Sequence, residues 1–73
     1  MKVNEKLDLL SRNIWTYNEV KNYLNISGQY NWRTFITKIK PSPFGRRLYR
    51  DDVLNAIGTT AQKEIELLRE IEG

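Results

Sequence analysis

Two sets of residues in this chain have the types and spacing to hold an anionic, hydrogen-bonding partner. Arg46 and Arg47 are adjacent behind Gly45, and Arg50 follows closely. Guanidinium groups match phosphate oxygens in planar, bidentate fashion. The second set is Tyr30, Asn31, Arg33, Thr34, Thr37 and Lys38. On a helix turning 100° per residue these six lie opposite or beside an apolar stripe, so one face offers donors, acceptors and positive charge without an aliphatic side chain. That is the chemistry a base edge or a phosphate oxygen meets.

Plainer readings compete for some of them. Arg50 can instead pair with Asp51 or Asp52, Asn31 can cap a turn rather than read adenine, and Arg33, Thr34, Thr37 and Lys38 also suit an ordinary hydrated helix face. Trp15, Trp32 and Phe35 fall on the buried stripe or beside a helix start, which favours core over stacking platforms for single strands.

Catalytic chemistry finds little to use. The chain has no Cys and no His, which removes thiolates, imidazole bases and the usual zinc ligands together. Asp51 and Asp52 are the one adjacent pair of carboxylates. They precede an apolar helical run, where capping explains them better than metal binding. No nucleophile with a base, phosphate loop or acid pair at catalytic spacing is present, so neither an enzyme nor a cofactor is expected.

The elements that must position these residues begin at Thr16. With Glu19 three residues on, it forms a reciprocal capping pattern, predicting a helix from Tyr17 to about Leu24 with Val20, Tyr23 and Leu24 inward and Trp15 stapled onto Val20. A polar break at Asn25, Ser27 and Gly28 leads to a second helix, from about Gln29 to Ile39. Its Trp32, Phe35, Ile36 and Ile39 follow the i, i+3, i+4, i+7 rhythm of one buried stripe. Two helices joined so tightly make a helix-turn-helix. Pro41 and Pro43 stop further helix. Phe44 then leads into a two-residue turn at Gly45 and Arg46 with a return strand from Arg47 to Arg50, a basic-tipped hairpin or wing, and alternation lets only one of Leu48 and Tyr49 face inward.

Flanking segments are helical by the same reasoning. Val3, Leu7 and Leu10 suggest a short N-terminal helix, with 11–13 as a linker into Ile14 and Trp15. Asp51 is placed to cap a helix carrying Val53, Leu54 and Ile57, which Gly58 ends. Thr59 with Gln62 repeats the capping spacing and opens a last helix to about Ile71, with Ala61, Ile65, Leu68 and Ile71 inside. Leu67 lies off that stripe, so Leu67, Leu68 and Ile71 are the candidate protein-interaction residues.

At 73 residues the chain makes one domain. It divides into an N-terminal helix or arm (1–13), a winged helix-turn-helix core (14–58) and a C-terminal amphipathic helix (59–73). The fold class expected is mainly α with a small β-hairpin, three to five short helices plus one wing. The net charge of +3 is unevenly spread. Residues 21–50 hold seven bases and no acid, residues 51–73 hold two bases against six acids, and the first twenty residues cancel at three each. The cationic stretch coincides with the helix-turn-helix and wing, which points to double-stranded DNA. The N-terminus lacks a signal-peptide pattern and no apolar run approaches a membrane span, so a cytoplasmic protein with no membrane partner is expected.

The order of these pieces resembles the excisionase-like branch of the MerR-type winged-helix family, found among phage and mobile-element regulators. The likeness rests on W-T-Y-N-E-V-K-N-Y-L-N-I-S for the first helix and turn, G-R-R-L-Y-R for the wing and D-D-V-L-N-A-I for the next helix, and runs from Trp15 to about Ile57. It implies a small DNA-binding protein whose second helix docks in the major groove while the wing meets flanking backbone or minor groove. Specificity then requires a homodimer, a cooperative array or a partner protein. The family also includes members that act through protein contacts. The alternative is therefore a non-enzymatic accessory subunit bound to a recombinase, polymerase or primase of a mobile element.

Overall fold

The computed structural model describes residues 1–39 and 45–72. Among them are five helices and two short strands: α1 (Val3–Leu10), β1 (Ile14–Thr16), α2 (Tyr17–Leu24), α3 (Gln29–Ile36), β2 (Arg47–Tyr49), α4 (Arg50–Ala56) and α5 (Ala61–Glu72). The architecture is mainly helical with one two-stranded antiparallel sheet. Pro41, Pro43 and Phe44 lie outside the described residues.

Helix α2 starts as its capping box dictates. Thr16 Oγ1 accepts from the Glu19 amide at 3.2 Å and Glu19 Oε1 accepts from the Thr16 amide at 2.8 Å. Two amide donors at the helix start are thereby satisfied. The helix ends at Asn25, a left-handed residue at φ 55° whose short polar side chain tolerates that conformation. After the turn, α3 is shorter than its stripe suggested and stops at Ile36, yet Ile39 beyond it still reaches the core.

The main departure from expectation concerns the sheet. Arg47–Tyr49 does pair, but with β1, in the register Ile14–Tyr49, Trp15–Leu48 and Thr16–Arg47. Three residues are too few for a strand pattern to register in sequence, so 11–13 read as a linker into Ile14 and Trp15, and Trp15 as a staple, with no strand expected there. What selects the pairing is burial: Trp15 and Leu48 face each other across the ladder and are 0% and 1% exposed. Alternation turns Tyr49 outward, as the period of two requires. Gly45 holds φ +74°, the left-handed conformation anticipated for the turn. Arg50 begins α4 instead of extending the strand.

Three smaller corrections follow from caps and burial. Tyr49, not Asp51, occupies the N-cap of α4, and Asp51 sits in the first turn, where its charge meets the helix dipole. Ile57 and Ile71, expected inside, are exposed. The last helix is capped by Thr60, whose Oγ1 accepts from the Lys63 amide at 3.3 Å. Thr59 is already committed to closing α4, since its amide donates to the Leu54 carbonyl beside the Gly58–Asn55 bond.

One core unites the three sequence segments. Leu9 and Leu10 of α1, Trp15, Val20, Tyr23, Trp32, Ile39, Leu48, Val53, Leu54 and Leu68 of α5 form a single buried cluster. Helix α1 packs against α5 and α5 against α4, so the terminal helices are part of the domain's body. Val3 and Leu7 lie partly buried against that core, as their spacing predicted. No helix among the described residues is long and apolar enough to cross a membrane.

Candidate nucleic-acid interface

Arg46 and Arg47 stand at the outer end of β2, and the ladder sets them beside the first turns of α2. The Tyr17 amide donates to the Arg46 carbonyl at 3.3 Å, fastening the two elements together. Between them opens a cleft of about 520 Å³ lined by Thr16, Tyr17, Asn18, Lys21, Arg46 and Arg47. Among the described residues three cations and three neutral polar groups meet there, and no carboxylate lines it. The nearest acid of α2, Glu19, is occupied by its own cap and by Arg12, whose Nη1 lies 2.9 Å away. Among the described residues no carboxylate pairs with Lys21, Arg46 or Arg47.

Lys21 was not singled out by its sequence context, which shows only a base on an amphipathic helix. Folding brings its ammonium to 5.0 Å from the centre of the Trp32 ring, a cation–π contact. Tyr17 meets the same indole edge-on, with ring centres 5.2 Å apart. The cleft and helix α3 therefore share one junction, made by Tyr17, Lys21 and Trp32.

Tyr30, Asn31, Arg33 and Thr34 on the outward face of α3, and Thr37 and Lys38 in the turn that follows it, are all exposed, with Tyr30 at 81%. Part of its hydrogen-bonding capacity is used internally. Asn31 Nδ2 donates to the Ser27 carbonyl at 3.0 Å, closing the turn. Thr34 and Thr37 donate to the carbonyls of Tyr30 and Thr34 at 3.0 and 2.8 Å. A hydroxyl has one proton, so both threonines are left as acceptors toward an outside partner.

The cations do not form one continuous cluster. Lys38 lies on the α4 side, in a shallow cavity whose lining also includes Ile39, Asp52, Asn55 and Ala56. Arg50 is engaged within the domain. Its Nη1 donates to the Leu10 carbonyl at 2.6 Å, its Nε to Asp51 at 3.1 Å, and its backbone amide to Asn13 at 2.9 Å. The pairing with Asp51 was one of the two alternatives for this residue, whereas the link to α1 joins positions forty residues apart.

The protein-interaction residues also separate. Leu68 is 7% exposed and belongs to the core, while Leu67 and Ile71 are 54% and 73% exposed, one turn apart on α5. Among the described residues no group of three or more carboxylates is placed to hold a metal ion. Compared with known proteins, the chain matches no family model, no curated protein and no solved structure.

Proposed function

We infer that this chain is a small double-stranded DNA-binding protein of the winged helix-turn-helix kind, similar in role to the excisionase-like regulators of phages and mobile elements. Helix α3 enters the major groove with Tyr30, Asn31 and Arg33 toward the bases, and Arg46 and Arg47 hold the flanking backbone. The observation that carries this reading is the junction at Trp32. An acid-free cationic cleft lies directly beside a helix whose outer face is polar and exposed. Phosphate contacts supply affinity on any sequence, and a helix face beside them supplies readout.

The test needs no target site. Binding of a mixed-sequence duplex is followed by fluorescence anisotropy across a salt series, for the native chain and for Arg46→Ala with Arg47→Ala. Loss of two phosphate contacts flattens the slope of log affinity against log salt by about 1.8. A native chain that binds no duplex at low salt refutes the reading, and an unchanged slope removes the wing from the interface.

A second reading draws on a different observation. Leu67 and Ile71 are large apolar side chains left outside the core, which suits an accessory subunit held by a recombinase, polymerase or primase. Duplex binding only in the presence of such a partner favours it.

A further inference from the structure

We propose that the cleft between α2 and β2 is a seat for backbone phosphates of one DNA strand, and that Lys21, held beside it over the Trp32 ring, is the cation that completes it. This assignment rests on the DNA-binding reading and adds to it a residue and a site lying on the first helix of the turn.

Three positive charges share a lining without a carboxylate, and like charges held together repel one another. An anion relieves that repulsion. The two guanidinium groups are exposed and can fork onto phosphate oxygens, while Asn18 and Tyr17 offer neutral donors at the rim. Lys21 differs from them in being half-buried and already placed. Its ammonium sits 5.0 Å from the indole centre, so little rotamer freedom is left to lose when an anion arrives. The seat adjoins α3 through that same indole. A partner that fills this cleft and also reaches the exposed polar residues of α3 has to carry anionic groups in series, which favours a nucleic-acid phosphodiester over a free phosphate or a lipid headgroup.

The experiment compares the native chain with Lys21→Gln, Lys21→Arg and Asn18→Asp. Each is titrated by anisotropy with a labelled mixed-sequence duplex at several salt concentrations, and by co-sedimentation with phosphatidylglycerol–phosphatidylcholine vesicles. Lys21→Gln is expected to flatten the salt slope by about 0.9, so that its affinity falls roughly 3.5-fold less than the native chain's over a fourfold rise in salt. Lys21→Arg restores the slope, because the charge is kept. Asn18→Asp, at an exposed position outside the core, weakens duplex binding with the fold intact, so the test stands even if Lys21→Gln is poorly folded. Native binding to duplex with unchanged slope in Lys21→Gln and unchanged affinity in Asn18→Asp overturns the seat and leaves the DNA-binding reading standing. No duplex binding by the native chain, or binding to vesicles alone, overturns both.

Discussion

The indole nitrogen of Trp15 donates a 2.6 Å hydrogen bond to the carbonyl of Leu9, inside the protein. One side chain thus ties the end of α1 to the sheet, while its ring packs against Tyr23 at 4.9 Å. Trp15→Phe keeps an aromatic ring but removes the donor and some volume. The lost bond costs about 1 kcal/mol, and the vacated space adds to it. Chemical denaturation should show a lower midpoint with the slope unchanged.

Arg50 provides the contrast between a structural and a binding arginine. Its side chain is 19% exposed and its guanidinium bonds the Leu10 carbonyl at the end of α1. Arg50→Met retains the stem and removes the charged donor, a loss of about 1.5–3 kcal/mol. Its salt slope for duplex binding should equal the native value. A flattened slope with unchanged stability would return Arg50 to the interface.

The Tyr23 hydroxyl donates to Glu64 Oε1 at 2.8 Å, joining α2 to α5. Burial, then the hydrogen bond to Glu64 and the charge of Glu64, hold the phenol well above its ordinary value of 10.0. Because the native state keeps this proton when the unfolded chain has lost it, the contribution is complete below the ordinary value. It is lost as pH rises through the folded one. Ultraviolet titration should show a tyrosine component well above the usual range that Tyr23→Phe abolishes, and the alkaline loss of stability should be smaller in Tyr23→Phe.

Leu67 and Ile71 are expected to serve assembly rather than folding. Removing everything after Gly58 is a poor test, because Ile65 and Leu68 pack into the body of the domain and Glu64 bonds Tyr23. Leu67→Ser with Ile71→Ser spares those contacts. Its melting temperature should stay near the native value, while cooperative duplex binding or partner capture declines. Identical binding curves for the double variant and the native chain would count against an assembly role.

Much of the local structure was legible from residue order. The reciprocal bonds of Thr16 and Glu19, the extent of α2, the stop near Gly58, the Trp32–Ile39 stripe and the rule that only one of Leu48 and Tyr49 faces inward all depend on neighbours within a turn or on strand alternation, and such rules act at short range. What only the tertiary structure decided involves partners far apart in the chain. The pairing of β1 with β2, the use of Arg50 on α1, the placing of Lys38 beside Asp52 and the arrival of Lys21 over Trp32 all depend on which surfaces the core leaves adjacent. Local periodicity tells which way a side chain faces along its own element. Once the elements pack, burial of Trp15 against Leu48 chooses the neighbour, and no spacing rule encodes that choice.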